Sequence, residues 1–131
     1  MRDICKFLME NYYSKYPVTG LNEDVLLLTL KRFADRVIAI YDGDEIVGVS
    51  VFVLLNDDKM WMVKDIKHAN ITNLIEMLSS EGSNLHFLII AAKGYSVIRK
   101  GLRELIARHE PETVSWWNPY TTRFHNYKIG G

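Results

Sequence analysis

Apolar positions along this chain change period several times, and each change marks an element. Over residues 3–15, Ile4, Phe7, Leu8 and Tyr12 recur at helical spacing. Tyr16-Pro17 ends that stretch, because the residue before a proline avoids helical backbone. Asn22 is placed to cap a second helix, with Glu23 and Asp24 at the positive end of its dipole. Leu26, Thr29, Leu30 and Phe33 form that helix's inner face. The period then falls to two. Residues 36–41 predict a short strand, Asp42-Gly43 a hairpin turn, and Glu45–Leu55 a long strand. Val47, Val49, Val51, Val53 and Leu55 lie on one face of it, and Ile46, Phe52 and Leu54 on the other. A strand apolar on both faces is covered on both.

Asn56-Asp57-Asp58 predicts a turn into a third strand over 59–66, where Trp61, Val63 and Asp65 alternate with Met60, Met62 and Lys64. Asn70 caps a helix whose stripe is Ile71, Leu74, Ile75 and Leu78, ended by Gly82. Residues 85–92 form an apolar strand broken by His86. A fourth helix runs from Tyr95 to His109, with Ile98, Leu102, Leu105, Ile106 and His109 inward, and a final hairpin spans 113–117 and 123–129. The order is ααβββαβαββ, an α/β chain whose mixed sheet carries helices on both faces. The crossover from 59–66 to 85–92 makes those two strands parallel.

Composition narrows the class. In 131 residues, 16 basic side chains balance 16 acidic ones, which excludes a general nucleic-acid binder. The length suits a single domain over 1–131. One cysteine, Cys5, excludes an intramolecular disulfide framework or a cysteine-based zinc site and points to a reducing, cytoplasmic setting. No apolar run reaches the about 20 residues of a membrane span, and the first residues lack a signal-peptide core. No His/Asp/Glu cluster has metal-ligand spacing.

This order of elements resembles the GNAT family of N-acetyltransferases over nearly the whole chain. The family's most specific motif is a Gln/Arg-x-x-Gly-x-Gly/Ala loop between its fourth strand and third helix. At the matching junction here, Ile66-Lys67-His68-Ala69-Asn70, there is no glycine. Two other stretches have some of the motif's character: Ala91-Ala92-Lys93-Gly94-Tyr95-Ser96 and Ile98-Arg99-Lys100-Gly101-Leu102-Arg103. Either would make the helix at 71–78 an insertion, so the complete element order with a degenerate loop is preferred. Residues 60–66 are similar to the aromatic–strand–Asp segment of toxin-activating lysine acyltransferases. Asp65 matches the catalytic Asp of that group, whereas its N-terminal His has no counterpart before His68. The hairpin ending is similar to that of small GNAT-like proteins of bacteriophages.

The resemblance implies an acyl-CoA-dependent N-acyltransferase with acetyl-CoA or another acyl-CoA as co-substrate. It implies that the pantetheine arm pairs with strand backbone at Met62 and Val63. The pyrophosphate would then meet a helix N-terminus at Lys67, His68, Ala69 and Asn70. Asp65 and His86 are the candidate catalytic residues. Each has a plainer alternative: a strand-end carboxylate paired with Lys64 or Lys67, and a buried histidine satisfied by one hydrogen bond. Trp116 and Trp117 must face opposite sides of the hairpin. With Tyr120, Phe124 and Tyr127 they make an aromatic surface suited to a protein partner or a second copy, or else cross-strand pairs that hold the hairpin. The alternative function is therefore a non-catalytic GNAT-like module. Charge is uneven: residues 93–110 carry five basic side chains against two acids, and 35–65 seven acids against three basic. Cys5, on an apolar helix face, reads as core.

Overall fold

The first hairpin sets the frame. β1 (Val37–Asp42) turns at Gly43, whose φ of 63° is the left-handed value an Asp-Gly turn needs, into β2 (Glu45–Leu55). The computed structural model describes residues 1–64, 71–93, 95–118 and 123–129. Among these, β3 (Asn84–Ala92), β4 (Thr113–Asn118) and β5 (Arg123–Lys128) complete one five-stranded sheet in the order β1-β2-β3-β4-β5. Neighbours are antiparallel except β3 and β4, whose parallel pairing is allowed by the long crossover helix α5 (Tyr95–His109).

Helices cover both faces. On one face lie α1 (Arg2–Leu8), a π-helical turn (Met9–Tyr13) and α2 (Glu23–Arg32), which Asn22 caps by accepting from Val25 N at 2.9 Å. With α3 (Trp61–Lys64) and α4 (Ile71–Leu78) they bury a core that includes Leu8, Leu26, Val51, Val53, Leu55 and Leu78. On the other face α5, through Leu105, covers Ile38, Phe52, Leu85, Phe87 and Val114. Cys5 is fully buried. The fold is GNAT-like: a mixed sheet with helices on both faces. No described helix is long and apolar enough to cross a membrane.

The region between β2 and β3 corrects the sequence reading. The alternation over 59–66 predicts a strand, but Lys59 ends a 3-10 turn and Trp61–Lys64 is α-helix. Asn56 accepts from Lys59 N at 3.0 Å and starts a 3-10 turn, Asp57–Lys59, which leads into α3. Met60 and Val63, three apart, are buried while Trp61 is exposed, so the run obeys the helical period. An apolar run this short satisfies both periods, and the Asn cap followed by two acids decides for helix. β3 is consequently antiparallel to β2, and not parallel to a strand at 59–66. The described order is ααββααβαββ, with α4 inside the β2–β3 connection.

Two glycines are fixed by packing. At Gly82, which leads into β3, an added Cβ would lie 2.1 Å from the Leu55 carbonyl carbon. At Gly101, inside α5, it would lie 3.3 Å from Ile40 Cδ1. The Arg99-Lys100-Gly101 stretch is therefore helix interior, and its glycine serves contact with β1 instead of a phosphate loop.

Candidate functional site: a cleft between diverging strands

β3 and β4 begin as partners and then part. Their register runs from Asn84 opposite Thr113 to Phe87 opposite Trp116 and stops there. Among the described residues β4 continues to Asn118 paired only with β5, and β3 continues to Ala92 paired only with β2. The parting coincides with a bulge. Phe87 lies opposite Phe52 and Ile89 opposite Val51, leaving Leu88 as the extra residue. Strict alternation from Phe87 would send Ile89 and Ala91 under α5; the bulge turns both into the larger core. Backbone of Leu88–Ala92 on the β4 side thus has no partner strand among the described residues.

Two side chains tie helical elements to the arms of this cleft. The Tyr12 hydroxyl, from the π turn, donates to the Leu88 carbonyl at 3.3 Å. Burial, and then the neighbouring Tyr16, push its phenol above the usual range, so it stays protonated and a donor near neutral pH. The rings of Tyr13 and Tyr16 flank it at 5.1 and 5.0 Å. On the other arm the Trp117 indole N–H donates to the Val63 carbonyl, holding α3 against β4. The Trp117 ring packs on Phe124.

The paired half of β3 is different in character. Asn84 Nδ2 donates to the Leu55 carbonyl at 3.0 Å and to Asp57 at 2.9 Å, while its Oδ1 accepts from Thr113 at 2.7 Å. His86 Nδ1 shares a 2.8 Å hydrogen bond with Ser115 Oγ across the strands, and its ring stacks on Phe124. His86 is 2% exposed, and burial pulls its pKa down to about 3. It is a neutral core residue with no route to solvent among the described residues.

The upper end of the cleft is basic. β3 leads through Lys93 to the N-terminus of α5, where unpaired backbone N–H groups favour an anion. Lys93 N donates to the Val47 carbonyl at 2.8 Å, and its ammonium pairs with Glu45 at 2.6 Å, holding that carboxyl below its usual range. Ser96, Arg99, Lys100 and Arg103 are exposed on the outer face of the helix. The strand-to-helix junction that follows the cleft strand therefore falls in the 91–96 stretch; the stretch preferred from the sequence, 66–70, lies outside the described residues. The helix at 71–78 lies outside the β3–α5 crossover, as the less favoured alignment requires. Gly94 lies outside the described residues.

The other expected site residues are placed as follows. Met62 and Val63 are on α3, so they offer no strand backbone; Val63 is buried and its carbonyl is taken by Trp117. Asp65, Lys67, His68, Ala69 and Asn70 lie outside the described residues. Trp116 and Trp117 do face opposite sides: Trp116 packs on the α5 side and stacks with His125 and Tyr127 at 5.3 and 5.4 Å. No group of three His, Cys, Asp or Glu able to hold a metal occurs among the described residues. Sequence reasoning did not assign Tyr12, Leu88 or Lys93 to the site. Only Gly94 beside a strand end signalled this junction; nothing in the sequence marks the bulge.

No protein-family profile and no curated protein matches the chain. A solved structure does: the GphF GNAT-like decarboxylase in complex with isobutyryl-CoA, with a TM-score of 0.62 and 14% identity. The match covers 92% of this chain and 66% of that one, so the chain spans about two thirds of its neighbour's length. At that identity the likeness establishes the GNAT-like fold alone.

Proposed function

We propose that the β3–β4 cleft takes the acyl-pantetheine arm of an acyl-CoA, and that the protein acts on the acyl group as an N-acyltransferase toward an amine. The observation that carries this is the strand pair that opens after Phe87 and Trp116, exposing β3 backbone that leads to the N-terminus of α5. The pantetheine amides would pair with that backbone, and the pyrophosphate would meet Lys93 and the helix N-terminus. The isobutyryl-CoA held by the GNAT-like neighbour supports the same class of ligand. In the reaction the amine nitrogen attacks the thioester carbon, the C–N bond forms and the C–S bond breaks. The amine proton passes to a base and the departing thiolate takes up a proton. A strand N–H would stabilise the oxyanion. Asp65, which follows α3 in sequence, is the proposed base; His86, neutral and enclosed, is given no proton to move. A second reading, a non-catalytic module that docks a protein or a second copy on the C-terminal hairpin, is favoured by the edge position of β5 and the 53% exposure of Tyr127.

Calorimetric titration with acetyl-CoA and isobutyryl-CoA tests the choice. Micromolar binding, weakened by about threefold to tenfold in Lys93→Ala through loss of a charge that would leave Glu45 for the pyrophosphate, supports the transferase reading. No heat up to millimolar ligand overturns it in favour of the module.

A further inference from the structure

Tyr12 brings a polar side chain to the point where the strands part, and the reading above gives it nothing to do. Tyr12 comes from the opposite layer, out of a π turn, a local irregularity that is frequent at functional sites. Its hydroxyl lies at the bulge, on the carbonyl of the extra residue Leu88. At 3.3 Å that bond is long, and it falls on the extra residue of a bulge, where the ladder is locally disrupted. The hydroxyl is thus a protonated donor, held on the helical side of the cleft by Tyr13 and Tyr16 and satisfied only loosely. A ligand carbonyl entering between the strands at the bulge would meet this donor first.

We propose that Tyr12 is a substrate-binding residue: its hydroxyl exchanges the Leu88 carbonyl for the acyl carbonyl oxygen of the bound thioester, and its ring closes the acyl pocket. This rests on the acyl-CoA reading of the cleft. No proton is transferred; the hydroxyl hydrogen changes acceptor, and the thioester carbonyl is polarised while it is held. The ring would limit the acyl group to a short chain, since the space beyond it belongs to the packed core around Leu8 and Val51.

Titrating acetyl-CoA, hexanoyl-CoA and free CoA into the wild-type protein, Tyr12→Phe and Tyr12→Ala separates the outcomes. Free CoA lacks the acyl carbonyl, so it reports the rest of the cleft. Tyr12→Phe should weaken acetyl-CoA by about fivefold, one ordinary hydrogen bond, and leave CoA within twofold. Tyr12→Ala should raise the affinity for hexanoyl-CoA relative to acetyl-CoA. A Phe variant that binds acetyl-CoA as the wild type does, or that loses both ligands equally, overturns the role of Tyr12 while the cleft stands. Wild-type protein that binds none of the three overturns the acyl-CoA reading and this role with it. Thermal unfolding of the Phe variant within a few degrees of the wild type shows that a change in affinity is not a loss of fold.

Discussion

The two halves of β3 do opposite work. From Asn84 to Phe87 the strand is stitched to β4 by backbone and by buried side-chain bonds from Asn84 and His86. From Leu88 to Ala92 it carries only apolar side chains and leaves backbone facing the cleft. The polar residues sit where the strand is closed, and the open half is polar only through its peptide groups. A histidine in an apolar strand therefore marks a seam here. A buried polar pair is tolerated because each partner satisfies the other. The open half can afford no such side chain, because what it offers a ligand is a ladder edge.

The comparison can be broken most severely at the closed end. Gly82→Ala places a methyl against Leu55 and Asn56 backbone, which cannot yield as a side chain would. A loss of about 3 kcal/mol or more in urea unfolding, or failure to fold, is expected. Next comes pH. His86 has a folded pKa of about 3, below its ordinary 6.5, so the unfolded chain binds the extra proton between those values. The stability it secures is whole above pH 6.5 and drains as pH falls toward 3. Between pH 7 and 4.5 the wild type should lose about 2–3 kcal/mol more than His86→Gln, measured by urea midpoints at both values. Equal losses would remove His86 as the seam. Trp117→Phe deletes the donor to Val63 while keeping a ring against Phe124. It should reduce stability by about 1 kcal/mol, and an unchanged midpoint would mean that α3 is held by packing alone. Gly101→Ala touches neither half and meets only a movable Ile40 methyl. Helix propensity gains offset the contact, so a change within about 1 kcal/mol of zero is expected.

Much of this fold was legible in the sequence. Glu45–Leu55, Ile71–Leu78 and Tyr95–His109 fall where their periods place them, because each is long or capped enough to show one period only. The stretch at 59–64 was not legible by alternation. Trp61 puts an apolar side chain on the exposed face of a helix, and the deciding signal was Asn56 acting as a cap. Reading strand for helix at 59–64 is also what drew attention to the junction at 66–70 instead of the β3–α5 junction at 91–96. The cleft itself was hidden for a different reason. A bulge at Leu88 needs no glycine, and backbone left unpaired by a diverging neighbour has no residue signature.

Amide hydrogen exchange on the wild-type protein, with and without saturating acetyl-CoA, reads the cleft backbone residue by residue. The account predicts added protection within Leu88–Ala92 and at the first turn of α5, with Asn84–Phe87 unchanged because its β4 side is already paired. Saturating ligand that leaves Leu88–Ala92 exchanging as before would contradict the claim that acyl-CoA lies between β3 and β4.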